Sequence, residues 1–173
     1  KFKKKINDIF KITRWNLIIS INKKWYTLNQ PKNISRADPF IIKHNQKIFI
    51  IFEECDVYER KGCIKNDEID IKNKKLNNIT TILKKKYHLS FPFIFTYKKI
   101  IYLIPESHEN RKVDLYKFVN FPKKLQKVRT LIKNINAADS VLFRKNKIWW
   151  LLTNIGIEAN DLHSKNLSIF YSI

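Results

Sequence analysis

A chain of 173 residues has room for one ordinary domain. Its 35 basic residues outnumber 15 acidic ones, giving a formal charge of +20 that points to a polyanion when taken alone. No RNP, KH, zinc-finger or recognition-helix pattern accompanies the charge, which argues against nucleic acid as the partner. The heavy use of Lys, Asn and Ile fits an AT-rich coding sequence, and the lysines scatter over turns and strand edges, where they block edge-to-edge pairing. No apolar run approaches the about 18 residues of a membrane span. Cys55 and Cys63 make no disulfide framework and read as free thiols. A soluble, cytoplasmic protein without a cofactor or metal is the expectation.

In chain order, residues 1–14 are basic and read as a frayed start or a short helix. Trp15–Ile21 and Lys24–Leu28 are strands, rich in aromatic and β-branched residues. Asn29–Arg36 is a loop by its Pro and Asn content. From Ala37 a design begins that occurs three times, in ADPFIIKHNQKIFIIFEE, HLSFPFIFTYKKIIYLIPES and AADSVLFRKNKIWWLLTN. Each copy has a polar entry, an apolar strand, a turn of Lys, Asn, Gln or His, a second apolar strand and a polar exit. Asp38 to Phe91 is 53 residues and Phe91 to Asp139 is 48. A period of about fifty with four short strands per period is the mark of propeller blades.

Blade one has strands at Phe40–Lys43, Lys47–Glu53, Gly62–Ile71 and Ile79–Leu83. The unbroken apolar run Ile48–Phe52 suits a strand buried on both faces. Blade two repeats the order at Phe91–Thr96, Ile100–Ile104 and Val113–Val119. Its last segment, 121–136, fits either a helix, with Leu125, Val128, Leu131, Ile132 and Ile135 on one face, or an outer strand around Val128–Ile132; the repeat favours the strand. Blade three has Val141–Arg144, Ile148–Leu152 and Leu167–Ser172. The expectation is an all-β, partial five-bladed β-propeller of about three four-stranded blades. Residues 1–36 form an N-terminal extension with strands, and 37–173 an incomplete propeller with blades at about 37–87, 88–136 and 137–173. The absence of Met and the stop inside the third blade read as truncation.

In a hairpin the entry of the first strand lies beside the exit of the second. Asp38 therefore meets Glu53 and Glu54; His88 and Ser90 meet Glu106 and Ser107; Asp139 and Ser140 meet Thr153 and Asn154. Blades set around one axis gather these groups on one rim. Converging carboxylates push pKa values apart, which makes an acid and a base from one residue type. Glycoside hydrolysis uses such a pair. The bland readings are an Asp that caps a turn, a solvated Glu, an Arg36 paired with Asp38, and a His88 bonded to backbone. Of Trp149 and Trp150, one can face the rim side while the other packs between blades, though both in the core is the simpler reading.

ADPF, FEE, HLSFPF, IPES and AADSVLF with IWWLL, in this order, resemble the N-terminal β-propeller domain of glucosamine inositolphosphorylceramide transferases and their bacterial relatives, some of which carry formyltransferase-like domains. That domain is similar to the five-bladed propellers of glycoside hydrolase family 43. The resemblance implies a carbohydrate-active domain with a glycan or sugar-containing small molecule as partner. It matches Asp38 to the hydrolases' general base and Asp139 to their pKa-tuning aspartate. The general acid has no counterpart, and Glu106 is the nearest substitute. Arg36, Glu54, His88, Ser90 and Ser107 complete the expected binding set. The alternatives are a non-catalytic sugar-binding module serving a transferase domain or partner, and a basic interaction scaffold.

Overall fold

A computed structural model describes residues 13–156 and 166–172. The frayed start or short helix expected for 1–14 lies almost wholly outside them. Within the described residues the chain is all-β, interrupted by one 3-10 turn at His108–Asn110. A hairpin of β1 (Ile18–Ile21) and β2 (Lys24–Thr27) comes first. Sheet one follows with β3 (Ile34–His44), β4 (Lys47–Asp56), β5 (Gly62–Asp70), β6 (Lys75–Leu76) and β7 (Thr80–Leu83). Sheet two holds β8 (Ser90–Tyr97), β9 (Ile100–Glu106), β10 (Lys112–Asn120) and β11 (Lys124–Lys133), and sheet three β12 (Ala137–Lys145), β13 (Ile148–Ile155) and β14 (Asn166–Ser172). Each sheet is an antiparallel meander in sequence order. The ambiguous segment after Asn120 is strand β11, paired along its length with β10. In sheet one the fourth place is shared, because β6 and β7 both pair β5 at different heights. The single outer strand expected there corresponds to β7 alone.

Alternation along the strands builds three apolar layers. Ile51 and Ile64 face sheet two and meet Leu89, Leu103, Tyr116 and Phe118. Ile50 and Phe52, one residue out of phase, face the hairpin and meet Leu17, Ile19 and Leu28. The run Ile50–Phe52 is thus fully buried on both sides, as its unbroken apolarity requires. Ile104, Val113 and Leu115 of sheet two pack on Leu142 and Leu151 of sheet three. Burying a large aliphatic or aromatic side chain is worth about 1.5–3 kcal/mol, so these layers fix the sheets face to face. Trp149 belongs to the last layer, whereas Trp150 points the other way and meets Tyr171. Both tryptophans are only half-buried, which corrects the reading of both as core. The pairing register puts Phe143, Trp150 and Tyr171 on one face, away from sheet two.

Two backbone devices recur. The turns Asn22–Lys23, Asn45–Gln46, Lys98–Lys99 and Asn146–Lys147 each have positive φ at both residues. That is the type I′ geometry whose twist suits a two-residue hairpin. At the opposite end, register shifts between Ala37 and Phe40, Ser90 and Phe93, and Ala138 and Val141 mark a bulge in the first hairpin of each sheet. The bulged residues Asp38, Phe91 and Asp139 all have positive φ, at 50°, 38° and 53°. Pro39 and Pro92, which follow two of them, sit where the ladder needs no donor.

Candidate functional site

The bulges turn the first strand of each sheet at its entry and present the residue there to the neighbouring sheet. Asp38 Oδ2 accepts the Phe91 N–H at 3.1 Å, tying sheet one to sheet two. Glu106 Oε2 accepts the Asp139 N–H at 3.2 Å, tying sheet two to sheet three. The register places Glu53 opposite Ala37, Glu106 opposite Ser90 and Asn154 opposite Ala138. Glu53, Glu106 and Asn154 therefore hold the same place in successive repeats. Asp38, Phe91 and Asp139 hold another. All lie on one rim.

Glu53 is the centre of this rim. Burial, then the charges of Asp38 and Glu106, push its carboxyl from 4.5 to about 8, and a hydrogen bond to Asp38 adds to the shift. At neutral pH Glu53 therefore keeps its proton, and the hydroxyl donates to Asp38. His88 supports it from the other side. The Gly62 N–H donates to His88 Nδ1 at 3.0 Å, so the ring proton sits on Nε2, 3.3 Å from Glu53 Oε1. A continuous series of donors runs from Gly62 through His88 and Glu53 to Asp38. His108, whose ring is 6.1 Å from that of His88, places Nδ1 3.2 Å from Glu106 Oε1.

Gly62, one of two glycines in the chain, makes this possible. A Cβ there would lie 2.4 Å from the Leu89 carbonyl oxygen, 2.7 Å from Glu53 Oε1 and 2.9 Å from His88 Cε1. Glu53, Cys55 and His88 also offer ligand atoms within 4.8 Å of one another. As a metal set they fit poorly. His88 Nε2 carries the ring proton, Glu53 holds its own, and burial pushes the Cys55 thiol up to about 11. Cys55 pairs with Gly62 while Cys63 pairs with Glu54, so the two cysteines point to opposite faces and stay free.

The other expected residues divide. Asp38, Glu106 and His88 converge. Asp139 joins them through its backbone, while its carboxylate accepts from Asn154 Nδ2 at 3.4 Å. Arg36 is buried and committed to Glu54 at 2.9 Å and to the Asn29 carbonyl at 3.2 Å, so its ion pair is with Glu54 instead of Asp38. Glu54 also takes Lys65 at 3.2 Å, which leaves it neutralised on two sides. Ser107 is buried and donates to the Lys112 carbonyl at 2.8 Å, closing the turn after β9. Ser90 is buried opposite Glu106. Arg36, Glu54 and Ser107 thus hold the rim together. Gly62 and His108 were missed in the sequence, and Glu53 was placed beside Asp38 without a role. Two concavities lie elsewhere, a polar one of about 460 Å³ beside the turn after β5 and an apolar one of about 520 Å³ between sheets two and three.

Residues 16–173 match the family described as glucosamine inositolphosphorylceramide transferase 1, N-terminal. The chain belongs to this family. Proteins named glucosamine inositolphosphorylceramide transferase 1 from Arabidopsis thaliana and Oryza sativa subsp. japonica are each 31% identical over 140 residues, or 79% of this chain. The chain spans 18% of the length of those two relatives. In three dimensions it is similar to an exo-1,5-alpha-L-arabinanase from a bovine ruminal metagenomic library, with TM-score 0.51 and 15% identity over 87% of this chain and 59% of that one. It is also similar to the Bombyx mori GH32 beta-fructofuranosidase BmSUC1, with TM-score 0.61 and 14% identity over 94% of this chain and 39% of that one. At such identities the likeness speaks for the propeller-type fold alone. Among the described residues no helix is long and apolar enough to cross a membrane.

Proposed function

We propose that the rim of this transferase-family domain binds a sugar, with Asp38, Glu53 and Glu106 as its hydrogen-bonding groups, and that it does so without cleaving a glycosidic bond. The observation that carries this reading is the meeting of three carboxyls from two sheets around one retained proton. Ionised Asp38 and Glu106 accept from sugar hydroxyls, while the Glu53 proton, already given to Asp38, holds that carboxylate in place. A glycosidase needs its two carboxyls about 5–5.5 Å or 6.5–9.5 Å apart, on either side of the bond. Asp38 and Glu53 are instead hydrogen-bonded to each other, so this pair does not flank a glycosidic bond, and the remaining pair of Asp38 with Glu106 is the one the hydrolysis assay below tests. The relatives' names put glucosamine and inositolphosphorylceramide in their chemistry, so an amino sugar or an inositol phosphate is the ligand class to test. We read the three sheets as blades of a five-bladed ring, with the apolar far face of sheet three as the seat of another blade. In that arrangement the domain presents its ligand to a transferase domain or partner.

The test is calorimetric titration with glucosamine and with inositol 1-phosphate, using the wild type and Asp38→Asn. Asparagine tolerates the positive φ at this position and keeps an acceptor for Phe91, so the fold should survive. One ligand should bind, and the substitution should weaken it at least tenfold, or about 1.4 kcal/mol. Binding of neither ligand, or Asp38-dependent hydrolysis of an aryl glycoside, would overturn the proposal.

A further inference from the structure

The strands place all their hairpin turns of one kind at the end opposite the rim. His44 stacks on Phe121 with ring centroids 4.7 Å apart, so the β3–β4 turn lies beside the β10–β11 turn. Tyr97 meets Trp149 at 4.9 Å and lies under the Arg144 guanidinium, which joins the β8–β9 and β12–β13 turns. Lys74 sits over Tyr26, which joins the β5–β6 turn to the N-terminal hairpin. Six turns, at 22–24, 43–47, 70–75, 98–99, 120–124 and 144–147, thus share one end of the molecule.

Charge is distributed unevenly between the two ends. These six turns hold fourteen Lys and Arg residues, all exposed, against the single acid Asp70. Asp70 is occupied by Asn73 and Asn77. Among the described residues only Lys47 of the fourteen is ion-paired, with Glu68. The rim end carries Asp38, Glu53, Glu54, Glu106, Glu109 and Asp139 among its basic residues. A bias toward Lys codons would load lysine on exposed loops at both ends, and it gives no reason for acids to be nearly absent from one of them.

We infer that the turn end of the molecule docks on the surface of an anionic phospholipid bilayer, with the carboxylate rim facing away from it. Lysine side chains on short turns reach headgroup phosphates as point charges, and each near an anionic leaflet contributes about fivefold in partitioning. Ile71, Ile100 and Val119 are 43%, 40% and 48% exposed among these turns, where they can enter the headgroup layer. A single-stranded nucleic acid would need free aromatic faces for stacking. Of the rings at this end, Tyr97 is committed beneath Lys98 and Arg144 and Phe121 between His44, Phe49 and Phe118, while Trp25 beside the 22–24 turn and Tyr171 beside the 144–147 turn are exposed and suit the headgroup layer, where tryptophan and tyrosine concentrate. This inference stands apart from the sugar reading of the rim, because it uses none of the rim residues.

The experiment is co-sedimentation of the 173-residue chain with vesicles of phosphatidylserine and phosphatidylcholine, and with phosphatidylcholine alone, at low and high salt. One variant carries Lys98→Asn, Lys99→Gln, Lys145→Gln and Lys147→Gln, so that both turns take the pair already present at Asn45–Gln46. A second carries Lys72→Gln, Lys75→Gln, Lys123→Gln and Lys124→Gln, at positions without positive φ. A control of equal charge carries Lys32→Gln, Lys61→Gln, Lys84→Gln and Lys86→Gln, away from these turns. The wild type should bind only the anionic vesicles and release at high salt. Both turn variants should lose several hundredfold in partitioning, about fivefold for each of the four lysines, and the control less than tenfold. Equal losses in all three variants, or no binding of the wild type at low salt, would overturn the inference. Tighter turn-dependent binding to single-stranded RNA than to vesicles would also overturn it, by assigning the surface to nucleic acid.

Discussion

Gly62 controls the rim through the atom it lacks. The space a Cβ would fill is taken by backbone of β8's entry, by Glu53 and by the ring of His88. The Leu89 carbonyl is the least able to yield, because Leu89 N–H is itself bonded to the Gly62 carbonyl at 3.1 Å. Gly62→Ala should therefore separate sheet one from sheet two at the rim and destabilise the fold by about 1–3 kcal/mol, an overpacking cost in a well-packed contact. Chemical denaturation checks this, and a change below 0.5 kcal/mol would mean that the rim contacts are looser than described. In the sequence the glycine is visible only as a rarity. Nothing in the neighbouring residues says that the place is crowded. Glu53 was legible as a neighbour of Asp38, but its retained proton depends on burial and on Glu106, which comes from another sheet.

At the scale of the element, the type I′ turns bear a strain that sequence composition hides. Asn-Gly is the favoured pair for such turns, yet here the second residue is Lys or Gln with φ near 64–67°. Gln46→Gly should relieve that strain and stabilise the protein by about 0.5–1 kcal/mol, raising Tm by about 1–4 °C. A lower Tm would mean that the Gln46 side chain makes a contact worth more than the strain. Strands were legible because their alternation or unbroken apolarity matches one-sided or two-sided burial. β11 was the hard case, since its apolar residues fit a 3.6 period and only its place in the repeat asks for the strand that pairs with β10. The split of sheet one's fourth place into β6 and β7 had no signal, because two residues of strand carry no periodicity. The bulges were illegible too, since Phe91 is a residue that rarely takes positive φ.

For the whole molecule, the repeat of about fifty residues was enough to indicate stacked antiparallel sheets and a shared rim. It located Asp38, His88 and Glu106 there because strand direction alone fixes which ends meet. It could not separate rim residues that face the opening from those that hold it together. Arg36, Glu54 and Ser107 look the same as site residues in sequence, and only packing shows that Glu54 is held by Arg36 and Lys65. The charge of +20 gave no direction by itself; the fold places most of the surplus at one end and the carboxyl cluster at the other. Everything proposed for the rim depends on sheets one and two bringing Asp38, Glu53 and Glu106 together. Carbon-13 NMR titration of the Glu53 carboxyl measures this directly. A midpoint near pH 8 is expected, falling toward the ordinary carboxyl range in Asp38→Asn. A wild-type midpoint near 4.5, unmoved by that substitution, would contradict it.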